Sequence, residues 1–309
     1  MRTRTGRVAV AAVLVGILVL GSTAGAWAQG GSGRRSIGFL DVWALPRVWV
    51  GVLFCIAGLV LLSRCLVSRR VRLAALCLAF LFFAVAAVLP LGAFSRGMGL
   101  HPSPVCIITR PFQFLAAGRG VPLVFLALLV FVAAFTVVGN KLFCGWVCPV
   151  GAVQEAFHRL PMARRRKVKL PFRVTNVVRA VLFAAFLAVV FTTGLSLYDY
   201  FNPFEFLHWG FEAAAIVAMA VVLAASVFIF RPFCYLVCPV GLFTWLLERV
   251  SLVRVKLDKP RCNNCNTCVL LSPCPAVPAI LAGRTFRPDC HACGRCIEVC
   301  PEKALGFRF

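Results

Sequence analysis

Cys262-x2-Cys265-x2-Cys268-x5-Cys274-Pro275, followed by Cys290-x2-Cys293-x2-Cys296-x3-Cys300-Pro301, is the stretch on which the reading of the whole chain turns. Thiolates are soft ligands for iron, and three at this spacing wrap one face of a cubane [4Fe–4S] cluster. In the bacterial C-x2-C-x2-C-x3-C-P arrangement the fourth cysteine crosses to the other run's cluster, and the proline turns the chain away. Two clusters are therefore expected. One takes Cys262, Cys265, Cys268 and Cys300; the other takes Cys290, Cys293, Cys296 and Cys274. A disulfide framework suits a small secreted domain, not a segment that follows a membrane core on the reducing side. Zinc is content with C-x2-C pairs and has no use for a third cysteine at the same spacing or for Cys-Pro. The first run departs from the pattern, with five residues, Pro273 among them, ahead of Cys274.

Upstream of this tail the composition changes the class of protein. The 309 residues are 61% hydrophobic and only 14% charged, which excludes an ordinary soluble domain. Apolar stretches at 8–25, 48–67, 73–94, 121–139, 177–197 and 212–230 approach or reach the ~20 residues that cross ~30 Å of hydrocarbon as a helix. The net charge of +23 invites a nucleic-acid reading, but its placement argues for a membrane and no nucleic acid. Arg64, Arg69, Arg70 and Arg72 form one cluster; Lys141, Arg159, Arg164, Arg165, Arg166, Lys167, Lys169 and Arg173 form another. The loop 198–211 holds only Asp199 and Glu205 and no Lys or Arg. By the positive-inside rule the basic loops and the tail face the cytoplasm of a bacterial inner-membrane, multi-pass protein. Arg and Lys on the tail would also offset the anionic charge of four-thiolate clusters.

Residues 1–29 read as a signal peptide or a first transmembrane anchor: Arg2, Arg4 and Arg7 precede an apolar run, and Ala26-Trp27-Ala28 resembles a cleavage site. A flexible Gly-Gly-Ser-Gly linker comes next. The second span, 48–67, carries Cys55 and Cys65, and Cys77 lies in the one after it; all three read as small packing residues.

From residue 73 to 250 the sequence repeats itself. Pro111-Phe112-Gln113-Phe114-Leu115 recurs as Pro203-Phe204-Glu205-Phe206-Leu207. Phe143-Cys144-Gly145-Trp146-Val147-Cys148-Pro149-Val150-Gly151 recurs as Phe233-Cys234-Tyr235-Leu236-Val237-Cys238-Pro239-Val240-Gly241. Each half reads as an external PFxFL segment, a span, and an FCxxVCPVG exit on the inner side. The expected fold is an all-α membrane protein. Its internally duplicated transmembrane four-helix bundle (73–250) and amino-terminal spans precede a two-[4Fe–4S] ferredoxin-like domain at 258–309. The amphipathic stretches after each Cys-Pro-Val-Gly would lie on the membrane and show Trp245 and Phe243 to lipid.

Cys144/Cys148 and Cys234/Cys238 are spaced four apart, so on a helix each pair would share a face. Pro149 and Pro239 suit a helix's first turn, which sets Cys148 and Cys238 at amino termini that favour thiolate. Three readings stay open: redox-active or metal-binding thiols, structural residues closing the helix exit, or joint ligands of a third cluster or another metal.

The paired C-x3-C-P segments ahead of a two-cluster tail resemble the NapH/MauN group of membrane ferredoxin-type proteins, the membrane portion of NosR and the CcoG oxidase-assembly proteins. Phe-Cys-Gly-Trp-Val-Cys-Pro-Val-Gly at 143–151 reads nearest to NapH and MauN. The resemblance implies quinol dehydrogenase-like electron transfer between the quinone pool and a redox partner such as a periplasmic or membrane oxidoreductase. A quinol site needs proton acceptors, and Glu205 and His208, with Asp199 and His101, are the candidates, although Glu205 and His208 also fit solvated loop positions. Four histidines without an opposed pair inside the spans argue against a bis-His haem. The alternative is an assembly factor that reduces a metal ion or disulfide of a partner enzyme through the C-x3-C-P thiols. A cluster-based sensor without net electron flux is a third class.

Overall fold

A computed structural model describes residues 38–89, 93–98, 103–161, 166–207, 211–284 and 287–308. The segment 1–29, His101 and His208 lie outside them. The chain is mostly helical, as expected, apart from one two-stranded sheet in the tail.

Helix α1 (Pro46–Ser63) starts on a proline at its first turn, where no amide donor is needed. It stops four residues short of the expected span end, because Arg64 caps it and Cys65 turns left-handed. Ser68 then accepts from the Val71 amide and opens α2 (Arg69–Phe80), which runs on through a π turn at Leu81–Val85. Helix α3 (Pro104–Ala116) carries Pro111-Phe112-Gln113-Phe114-Leu115, so the first PFxFL segment is helical. The Ser103-Pro104 pair explains the helix: Ser103 Oγ accepts from the Cys106 amide and Pro104 sits at the first turn.

Beyond α3 the order of helices makes the repeat visible. In the first half α4 (Leu123–Gly139) leads to short α5 (Leu142–Trp146) and then α6 (Pro149–His158). Helix α7 (Phe172–Thr193) ends at left-handed Gly194, and α8 (Pro203–Leu207) carries the second PFxFL. In the second half α9 (Ala213–Phe228) leads to α10 (Pro232–Leu236) and α11 (Pro239–Leu247). The halves pack crosswise. Helix α6 lies against α9 of the other half and against α2, whereas α11 lies against α3 and α4 of the first half and against α7.

Among the described residues, α1 and α7 are long and apolar enough to cross a membrane. The other apolar helices are shorter: α4 has 17 residues and α9 has 16, about 25 Å of rise each against ~30 Å of hydrocarbon. Val177 and Val181 on α7, Val217 and Val221 on α9, and Leu126 and Val130 on α4 are exposed.

The tail begins four residues before the expected boundary at 258. Strand β1 (Arg254–Leu257) pairs antiparallel with β2 (Leu305–Arg308), Val255 opposite Phe307 and Leu257 opposite Leu305. Between them lie α12 (Thr267–Leu271), α13 (Val277–Leu281) and α14 (Arg295–Glu298). The tail is not a tethered satellite. One apolar cluster joins Leu62, Leu142 and Trp146 of the core to Ala292, Ile297 and Phe307 of the tail. The chain entering β1 is pinned to the end of α4, where the Leu252 and Val253 amides donate to the Val137 and Val138 carbonyls at 2.7 and 3.1 Å.

Trp245 meets protein, not a free lipid-facing surface. Its Nε1 donates to the Arg287 carbonyl at 3.3 Å, and its ring lies 5.6 Å from that of Phe172. Phe243 packs against the apolar core. An amphipathic pattern marks an apolar face without saying whether lipid or a tail covers it.

Candidate functional site

The two C-x2-C-x2-C loops follow the same backbone path. Asn264 and Ala292, each just before the middle cysteine, have φ of 58° and 46°, and Asn266 and Gly294, each just after it, have 54° and 74°. Alternating left-handed residues turn backbone N–H groups into a concave nest, the geometry found at many iron–sulfur sites. Asn and Gly enter that region readily; Ala292 does so at a cost of about 1–2 kcal/mol.

Cys262, Cys265, Cys268 and Cys300 line one cavity, with Asn264, Asn266 and Leu281 around them. The crossover cysteine therefore meets the three of the other run. In the second set, Cys274 and Cys290 share a thiol hydrogen bond, and Cys293 and Cys296 lie within electrostatic reach of Cys274. That hydrogen bond holds Cys290 down at about 7 and, with burial, pushes Cys274 well up. Burial also raises Cys293 and Cys296. Four buried thiols whose charged forms are opposed by desolvation fit a cationic iron core, which supplies the missing counter-charge.

The five-residue spacing before Cys274 costs no convergence. Helix α12 takes up the extra length, and the Cys274 amide then donates to Ser272 Oγ at 3.3 Å. Among the described residues no three His, Cys, Asp or Glu side chains close on one point as a single metal ion requires. A cube, which gives each thiolate a separate iron, asks for a wider spread.

Exposure orders the two sets. Cys265 is exposed, Cys262 and Cys300 are half-buried and Cys268 alone of that set is buried, whereas Cys274, Cys290, Cys293 and Cys296 are all buried against the core. The inner set adjoins the C-x3-C-P loops. Trp146 Nε1 donates to the Ala292 carbonyl at 2.9 Å, Tyr235 Oη donates to the Asp289 carbonyl at 3.2 Å, and the Tyr235 and His291 rings lie 5.0 Å apart. Gly145 makes the approach possible, since a Cβ there would fall 2.2 Å from the His291 carbonyl oxygen.

Cys144 and Cys148 do not share one helix face. Pro149 holds Cys148 in an extended conformation (φ −65°, ψ 115°), which ends α5 and makes Cys148 the cap of α6. Cys238 caps α11 in the same way (φ −63°, ψ 118°). Neither Cys148 nor Cys238 makes a side-chain capping hydrogen bond, so the two thiols are left to face the loops around them.

Two buried ion networks hold these loops, and sequence reading missed both. Asp289, beside Cys290, accepts from Lys141 Nζ and, at 2.9 Å, from Arg179 Nη1. Glu155 accepts from Arg72 at 2.8 Å and from Arg231 at 2.7 Å. Those cations hold the Glu155 carboxyl far below the usual carboxylate range against the opposing effect of burial. The repeat offered one signal, because Lys141 and Arg231 each stand three residues before the first cysteine of a C-x3-C-P pair.

The expected quinol residues are less gathered. Glu205 Oε1 accepts from its neighbour Asn202 at 3.2 Å, and Asp199 pairs with Arg110 at 3.5 Å. A separate apolar cavity lies between α1, α3 and α4, lined by Arg47, Phe83, Leu128, Phe131 and Phe143 and reaching Val147 and Pro149 on either side of Cys148.

A family model described as a 4Fe-4S binding domain matches the chain twice, at 121–171 and at 211–260. These two segments, with the two cysteine runs of the tail, give the chain its iron–sulfur signature. It is a homologue of the ferredoxin-type proteins NapH and MauN. It is 28% identical to ferredoxin-type protein NapH of Haemophilus influenzae, over 62% of this chain and 71% of the relative. For NapH of Escherichia coli the figures are 27%, 68% and 77%. It is 33% identical to the methylamine utilization ferredoxin-type protein MauN of Methylorubrum extorquens, over 60% of this chain and 65% of the relative. No solved structure matches the chain.

Proposed function

We propose that this protein is a multi-pass subunit of the bacterial inner membrane that carries electrons between the quinone pool and a redox partner. Its duplicated core would span the membrane with the tail on the cytoplasmic side. Cys262, Cys265, Cys268 and Cys300 would hold one [4Fe–4S] cluster, and Cys290, Cys293, Cys296 and Cys274 a second. When bound, these clusters supply one-electron transfer.

The observation that carries the reading is the ordered placement of thiols. The buried set lies against the C-x3-C-P loops and the other set opens toward solvent. That order gives a route with a protected inner end and an accessible outer end. Trp146, Tyr235 and the Asp289 network fix the inner loop against the core, and the two nests hold the cysteines at each cluster. The uncovered apolar faces of α4, α7 and α9 support a lipid surround.

The quinone would enter the apolar cavity beside Cys148, its ring among Phe83, Phe131 and Phe143 with Arg47 as the polar group. Oxidation of one quinol releases two electrons and two protons, and two one-electron acceptors match the electrons. Glu205 and His208 remain the proposed proton acceptors, of which Glu205 lies among the described residues. Burial of Cys148, Cys234 and Cys238 disfavours the assembly-factor reading, since thiol exchange with a partner needs access.

The test uses anaerobically purified protein in proteoliposomes. Menaquinol or ubiquinol analogues should reduce the clusters, as read by visible bleaching and low-temperature EPR. Reduction by dithionite but by neither quinol would sink the quinol role. A preparation without iron and acid-labile sulfide would sink the cluster assignment.

A further inference from the structure

The 4Fe-4S family match falls on the core, and each matched segment brings two cysteines: Cys144 and Cys148 in 121–171, Cys234 and Cys238 in 211–260. A cubane takes four thiolates. Neither half can supply a cluster by itself, and the crosswise packing brings the two halves together at these loops.

Their contacts are reciprocal. Arg231, just ahead of Cys234, donates from Nη1 to the Cys144 carbonyl oxygen at 2.6 Å. Arg179 donates from Nη1 to the Cys234 carbonyl oxygen at 3.1 Å. Gln154, on the helix that Cys148 caps, donates to Cys234 Sγ at 3.6 Å and accepts from the Phe233 amide at 3.0 Å. A Cβ at Gly151 would fall 2.9 Å from the Cys144 carbonyl oxygen, and one at Gly241 2.8 Å from that of Cys234. Both loops are thus clamped by the same device, and each thiol lies within electrostatic reach of thiols across the divide.

The charge balance points to an anion. Arg72, Arg179, Arg231 and Lys141 are wholly buried around these loops, with Glu155 and Asp289 as the carboxylates paired to them and Glu248 buried within reach of Lys141. Buried cations in excess of buried anions are costly unless a further negative group is present. The Nε atoms of Arg179 and Arg231 are buried and have no hydrogen-bond partner among the described residues. They are the same atom on the two guanidiniums that clamp the loops. Such buried, unpartnered donors suit a cluster's sulfurs.

We propose that Cys144, Cys148, Cys234 and Cys238 together ligate one further [4Fe–4S] cluster between the halves of the core, next to the inner cysteine loop of the tail. It extends the electron-transfer reading but does not depend on the tail assignment, because its ligands are a separate set. The test is iron and acid-labile sulfide per chain in the full-length protein purified anaerobically, together with Mössbauer spectra of 57Fe-grown material. Wild type should hold about twelve irons, four for each of three cubanes. The Cys148→Ala/Cys238→Ala variant should fall by about a third, and Cys265→Ala/Cys293→Ala should keep the cubane signal that the first variant loses. About eight irons in wild type with none lost in the core variant would overturn the proposal, as would zinc or copper in their place. Loss of only two irons would overturn the cubane. Should the core variant fail to fold, the Mössbauer cluster count of wild type decides alone. Loss of clusters in the tail variant bears on the tail assignment and leaves this count standing.

Discussion

Tail and core present their cysteines in opposite ways. In the tail each loop carries three cysteines within seven residues, and left-handed residues at matching positions shape both loops alike. In the core each loop carries two, and the halves meet through packing of distant helices and long-range contacts such as Arg231 with Cys144 and Glu155. The tail encodes its site locally; the core encodes its loops through the tertiary fold. Damage in the tail should therefore stay at one cluster, whereas damage in the core should spread.

The sharpest break is Cys293→Ala. It should remove one tail cluster and its EPR signal, while Cys106→Ala, in the helix Pro104–Ala116 and a member of neither set, should leave iron content unchanged. Equal iron in wild type and Cys293→Ala would contradict the ligand assignment. Next is Asp289→Ala, which strands Lys141 and Arg179 in the interior. Removing one partner of a buried pair costs about 3–5 kcal/mol, and thermal unfolding in detergent should show it. A melting temperature like that of wild type would mean that the tail is held by its apolar contacts alone.

Gly145→Ala tests the seam itself. Its methyl group would collide with the His291 carbonyl, and overpacking of this kind costs about 1–3 kcal/mol. The tail should be released to limited proteolysis with its own clusters intact. Trp146→Phe removes the hydrogen bond to the Ala292 carbonyl and part of the buried ring that packs on Gly58 and under Arg72, and should cost about 1–3 kcal/mol, measured in the same melts. Smallest is Ala292→Gly, which relieves a left-handed alanine and should raise stability by up to about 1 kcal/mol. A loss there would show that the Ala292 methyl packs usefully.

Legibility from sequence divides along the same line. The eight tail cysteines stand out because of their spacing, whereas the left-handed residues Asn264, Asn266 and Gly294 beside them were not read from the sequence. The repeat was legible as well, since PFxFL and FCxxVCPVG recur nearly letter for letter. The ion networks were not. Lys141 and Asp289 lie far apart in the chain, and a buried lysine looks like a cytoplasmic one until its carboxylate is found. Trp245 failed for a related reason, because its apolar stripe does not name what covers it. The C-x3-C spacing misled in one respect, since Pro149 and Pro239 break the helix that would have aligned each pair.

The position of Asp289 has a bearing on how the molecule is made. The chain leaves the ribosome amino terminus first, so Lys141 and Arg179 are synthesised well before their shared counter-ion. Until Asp289 emerges, the nascent protein holds two positive charges with nowhere dry to go. Completion of the interior thus waits for that residue, and a product stopped before it would announce itself to proteolytic surveillance by those two unmatched charges.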